Sequence, residues 1–161
     1  MFITGGMGSL VYARKCRERG ENIVCMISLE TMGYYSDEEG SQDYPFPLSL
    51  FYPDVGNFIA IVGNTSSKEQ VMSFAGKFMR ESDFPVECAA PPGILRGVGW
   101  SDHSSFWRYG YSAIMVTDTA LFRYPYYHTP EDTVDKIDYD ALARVVTGLR
   151  ESVLELVGEA T

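Results

Sequence analysis

Two histidines, His103 and His128, are the only imidazoles in this 161-residue chain. His128 sits in the irregular stretch Tyr126-Tyr127-His128-Thr129-Pro130-Glu131-Asp132-Thr133, between the apolar run Ile114-Met115-Val116 and a long amphipathic segment. Asp118 opens that loop just past a predicted strand, and Glu30 stands at the end of another. Ligand and catalytic groups of open α/β sheets gather beyond the carboxyl ends of strands. Glu30, Asp118 and His128 therefore read together as part of a metal site. Taken singly each has a plainer reading: a solvated strand end for Glu30, a polar residue in an aromatic surface loop for His128.

The neighbours extend the chemistry. Tyr127 carries a phenol able to donate to a developing oxyanion. Asp132, four residues beyond His128, is placed to hold the imidazole, as carboxylates commonly do for metal-bound histidine, or to cap the following turn. Ser101-Asp102-His103 lies in a glycine-rich loop entering a helix, where Asp102 fits an N-cap and His103 reads as structural or as a support behind a metal ligand. A triad of Ser101, His103 and Asp118 is conceivable, but no G-x-S-x-G elbow accompanies it.

The elements that must position these residues alternate between helix and strand. Gly8-Ser9 opens a helix through about Arg19 that Gly20 closes. Ile23–Ile27 is a nearly unbroken apolar run, the mark of a strand covered on both faces. Met32–Asn57 is a long irregular insert, of a length usually functional or mobile. Phe58–Val62 predicts a second strand. A helix capped by Ser66 or Ser67 follows, with Glu69 or Gln70 completing a capping box and Val71, Phe74, Ala75 and Phe78 as its apolar stripe. Strands near Val86–Ala90 and at Ala113–Thr117 flank a short helix around Ser104–Tyr109. The last helix starts at Asp138 and carries Leu142, Val145, Val146, Leu149, Val153 and Leu156 on one side. The expectation is one α/β domain with a largely parallel or mixed central sheet flanked by helices.

Composition bounds the partners. The net charge of −9 argues against nucleic acid, which calls for a basic face. No apolar stretch approaches the ~20 residues of a membrane span. Cys16, Cys25 and Cys88 lack any C-x-x-C spacing and read as small buried apolar residues. The N-terminus has no basic-then-apolar secretion signal, which leaves localisation open. Met1–Gly6 itself reads as the interior of a domain.

The segments Ile27-Ser28-Leu29-Glu30-Thr31-Met32-Gly33-Tyr34-Tyr35-Ser36, Ser101-Asp102-His103, Thr117-Asp118-Thr119-Ala120 and Tyr127-His128-Thr129-Pro130-Glu131-Asp132-Thr133 resemble, in order and spacing, the di-zinc aminopeptidases of peptidase family M28. That resemblance implies a zinc-exopeptidase fold, a peptide substrate and two zinc ions sharing an activated water. By position, Glu30 and His128 are similar to the family's fourth and fifth metal ligands, one for each ion. Tyr127 resembles its oxyanion-stabilising tyrosine, and Asp102 an active-site hydrogen-bonding acid. Position 30 is more often Asp in that pattern.

The resemblance also implies a first His, a bridging Asp and a Glu-Glu pair upstream of the segment matching residues 1–9. Glu38-Glu39 falls in the insert, after the fourth ligand, and reads as solvated acid. The expectation is the C-terminal part of a zinc-peptidase catalytic domain, unable to bind zinc tightly or hydrolyse peptides alone, and associating with itself or with the missing N-terminal half. Two other readings share the fold: a glutaminyl-cyclase-like acyl transferase, which tends to carry Trp where this chain has Tyr127, and a non-catalytic interaction module.

Overall fold

The computed structural model describes residues 6–159. The opening stub Met1–Gly6 lies, but for Gly6, outside them. The helices are α1 (Gly8–Glu18), α2 (Lys68–Glu81), α3 (His103–Trp107) and α4 (Tyr139–Glu159), and the strands are β1 (Met26–Glu30), β2 (Ile59–Gly63), β3 (Val86–Ala89) and β4 (Ala113–Thr117).

The four strands form one open sheet in the order β1-β4-β2-β3. β1 runs parallel to β4 and β2 parallel to β3, whereas β2 and β4 are antiparallel. The sheet is therefore mixed. Its reversal is consistent with the chain: a parallel neighbour needs a crossover, usually helical, and the insert between β1 and β2 contains only the 3-10 turn Leu48–Leu50.

α2 and α4 cover one face. Ile59, Ile61, Ile114 and Val116 alternate inward from β2 and β4 and meet Val71, Phe74, Phe78, Val145 and Leu149 in the main core. The helices approach closely where Gly148 faces Phe78; a Cβ at that glycine would stand 2.7 Å from the ring. α1 and α3 cover part of the other face through a smaller cluster of Ala13, Phe106 and Ala113. No helix is long and apolar enough to cross a membrane among the described residues.

Several expectations shift. The first strand is Met26–Glu30 instead of Ile23–Ile27, and it is not covered on both faces, since Leu29 is 58% exposed. Its extent is set by pairing, Met26 opposite Ala113 through Glu30 opposite Thr117, and not by where the apolar run begins. Ser66 and Ser67 do not cap α2. Asn64 instead caps the 3-10 turn Thr65–Ser67 that leads into the helix, its side chain accepting from Ser67 N at 2.9 Å. Asp138 caps α4 as expected, accepting from Ala141 N at 2.9 Å. On α4, Val145 and Leu149 are buried, but Val146 and Val153 face outward. All three cysteines are free, and only Cys16 is fully buried.

Candidate functional site

Glu30, Thr117, Ala60 and Glu87 stand side by side in one row across the four strands. Directly opposed residues project from the same side of a sheet, so this row forms a floor with small side chains at its middle and a carboxylate at each end. Above it lies a cleft of about 120 Å³ that opens to solvent, lined by all four residues and by Tyr127. Leu48 from the insert, Trp100 and Phe122 form its walls.

The cleft end at Glu30 is built by backbone geometry. Thr31 leaves β1 in the left-handed region at φ 45°, and beyond β4 Thr119 and Ala120 do the same at φ 75° and 48°. None is glycine, so each conformation carries a cost that surrounding structure must hold in place. Asp118 supplies that hold. Its carboxylate is buried and accepts from Gly33 N, Tyr34 N and Ala120 N at 2.9, 3.0 and 3.1 Å. The two strand ends are thereby stapled to each other. Asp118 is a brace with little capacity left for a cation.

Glu30 is half-buried, and its Oε2 accepts a 2.6 Å hydrogen bond from Ser101 Oγ. Ser28, two residues earlier on the same face, reaches Ser101 Oγ at 2.9 Å. Ser101 commits its one proton to Glu30, so Ser28 is the donor of that pair. Across the cleft mouth, Tyr127 is held by its backbone N–H to Tyr124 O at 3.3 Å. Burial first, then the charges of Glu30 and Asp118, raises the Tyr127 phenol above its ordinary value. It stays protonated at neutral pH and available as a donor. The His128 ring stacks on Tyr127 at 4.0 Å between centroids, with its backbone at φ 60° and its side chain exposed. Glu30 and Tyr127 thus both line the cleft, and His128 stands behind Tyr127, outside the lining.

The other expected residues go elsewhere. Asp132 accepts from the Tyr124 hydroxyl at 2.8 Å and steadies the loop through that ring, not through the His128 imidazole. His103 is fully buried, and its Nε2 donates to Val98 O at 2.7 Å. Desolvation lowers its pKa, keeping it neutral. It packs edge-on against Trp107 and is a structural histidine. Asp102 is exposed, lies outside the cleft lining and makes no side-chain cap for α3. With His103 turned to Val98, Ser101 to Glu30 and Asp118 to backbone amides, no Ser-His-Asp triad exists.

The chain matches peptidase family M28 over residues 4–153. It belongs to that family. The uncharacterised protein YfbL of Escherichia coli (strain K12) is 39% identical over 149 residues, covering 92% of this chain and 45% of YfbL. The chain thus spans less than half the length of this curated relative. Among solved structures it is similar to the LapA aminopeptidase of Legionella pneumophila, with a TM-score of 0.59 and 15% identity over 90% of this chain and 34% of LapA. It is also similar to the aminopeptidase from Aneurinibacillus sp. strain AM-1, with a TM-score of 0.61 and 22% identity over 92% of this chain and 29% of that one. At such identities the likeness is one of fold.

In this M28 chain, Glu30 and His128 offer donors of the kind zinc accepts. Among the described residues, however, no three His, Cys, Asp or Glu side chains converge as a metal-holding group. A catalytic zinc takes three protein donors, so the described residues do not complete such a site. Three residues of the site region escaped sequence reading. Ser101 reads in sequence only as a nucleophile candidate, whereas in the fold it is the donor on Glu30. Gln42 and Arg123, both buried, lock the insert beneath the cleft: Arg123 Nε donates to Gln42 Oε1 and Nη1 to Phe58 O, each at 2.8 Å. Neither forms a motif, and no local signal marks them.

Proposed function

We propose that this chain supplies one side of a zinc-dependent aminopeptidase centre, with Glu30 and His128 each giving one donor to one of two zinc ions. The observation that carries the reading is that Glu30 and Tyr127 line one cleft and His128 stacks on Tyr127, in a chain of peptidase family M28. Zinc in such a centre would polarise the scissile carbonyl and lower the pKa of a bound water. Tyr127 would donate its phenolic proton to the oxygen that gains charge. Ser101 would fix Glu30 in one rotamer, and the half-buried cleft would hold the N-terminal residue of a peptide. Asp102, exposed at the start of α3, is left with at most a peripheral contact to substrate.

With one donor per ion, the chain alone binds zinc weakly and turns over no peptide. The test is NMR of the chain during zinc titration. Millimolar zinc should perturb the His128 imidazole and the Glu30 carboxyl and leave His103 untouched, and the effect should vanish in His128→Ala. Zinc that leaves His128 unperturbed would overturn the ligand assignment. Hydrolysis of leucyl-nitroanilide that requires His128 would overturn the claim that one donor per ion is insufficient.

A further inference from the structure

We infer that Glu87 selects the substrate: the cleft takes an N-terminal residue with a long aliphatic stem and a cationic end, as in lysine or arginine. This rests on the peptidase reading above and adds to it a residue at the opposite end of the floor. Glu87 is on β3, paired with Ala60, which faces Thr117, which faces Glu30. Three interstrand steps of ~4.8 Å separate the two carboxylates' backbones by ~14 Å. A peptide whose scissile carbonyl sits at Glu30 and Tyr127 must lay its side chain over Thr117 and Ala60, towards Glu87. Five bonds of ~1.5 Å carry a lysine ammonium ~6 Å beyond its Cα; with that Cα above Thr117, two interstrand steps or ~10 Å from Glu87, the ammonium comes within ~4 Å of the carboxylate.

The floor and walls suit such a stem. Thr117 and Ala60 leave room above the sheet, while Leu48 and Phe122 flank the path. Glu87 forms no hydrogen bond or ion pair with any described residue. The cation nearest in kind, Arg96, also lines the cleft, but its guanidinium lies over the Trp100 ring, 5.6 Å from the centroid. Burial raises the Glu87 carboxyl above its usual range, so it is a partly desolvated acid without a partner. Such a group is costly, and an incoming cation relieves the cost. A neutral side chain would leave it unpaired, and that penalty is the source of discrimination.

The test uses the intact chain, with and without added zinc, and two probes: L-lysinamide and the amide of L-2-aminoheptanoic acid, its uncharged isostere. Binding is followed through the backbone amide resonances of Ala60, Glu87 and Thr117. Lysinamide should bind at least ~10-fold more tightly, as a charge-assisted hydrogen bond supplies. Glu87→Gln should abolish the preference, weakening lysinamide and strengthening the isostere without lowering the melting temperature, and Glu87→Leu should favour the isostere. Equal binding of both amides, or a preference that survives Glu87→Gln, overturns the role of Glu87 and leaves the cleft as a substrate site. If neither amide perturbs these resonances, both the selectivity and the substrate reading of the cleft fall.

Discussion

Ser101 Oγ lies 2.6 Å from Glu30 Oε2, and through this contact the loop before α3 holds the carboxylate at the end of β1. Ser101 is 2% exposed, so little water can replace it. Removing the hydroxyl leaves both Glu30 and Ser28 short of a partner. Ser101→Ala should cost roughly 1–3 kcal/mol of stability, read by urea unfolding, and should broaden the Glu30 side-chain NMR signals as the rotamer is released. An unchanged midpoint would show that the contact carries no stability.

Arg123 and Gln42 form the polar heart of the insert. The guanidinium serves Gln42, Tyr34 and Phe58 and sits over the Phe58 ring at 4.5 Å. Desolvation lowers its pKa, yet no carboxylate pairs with it directly among the described residues. Arg123→Ala should cost roughly 1.5–3 kcal/mol. Gln42→Ala should cost nearly as much, and the double variant should fall well short of the sum, because both remove the same bond. Additive losses in denaturant unfolding would contradict a shared network.

His103 gives a pH signature. Folding lowers its pKa, chiefly by desolvation, so the unfolded chain binds a proton first as pH falls below ~6.5. The unfolded state holding more protons means that stability is complete above that pH. It declines from there towards the depressed folded value. Urea midpoints from pH 7.5 down to 5 should drop further for the wild type than for His103→Gln, which keeps a donor for Val98 O. Parallel pH profiles for the two proteins would rule out His103 as the source.

β1 pairs with β4 alone among the described residues, leaving its outer edge open. Leu29 is exposed on that strand, and Tyr139, Val146, Val153 and Val157 are exposed along α4. Open strand edges recruit partners, and apolar patches of this kind mark contact surfaces. The chain should self-associate as concentration rises in sedimentation experiments, and Leu29→Lys combined with Val146→Glu should shift it towards monomer. A monodisperse monomer at high concentration would refute this.

The sequence determined much by itself. Ala113–Thr117 is a strand at its predicted bounds, because a continuous apolar run can satisfy its burial only between two covered faces, and β4 is the strand that has them. Helices α1, α2 and α4 follow from stripes and caps, which are local properties. Glu30 and Tyr127, singled out by residue type and order, both line the cleft.

What only the tertiary structure decided depends on pairing and on side-chain partners. The bounds of β1 came from its register with β4, which no local run of apolar residues encodes. The left-handed turns at Thr31, Thr119, Ala120 and His128 are hidden, since none of these residue types announces a positive φ. Asp118 and Asp132 found partners that spacing does not announce, three backbone amides for Asp118 and the Tyr124 hydroxyl for Asp132, because a hydrogen bond is won by whichever donor the fold brings within reach. Glu87 belongs to no motif. The sheet order alone sets it in line with Glu30, at the far end of the same floor.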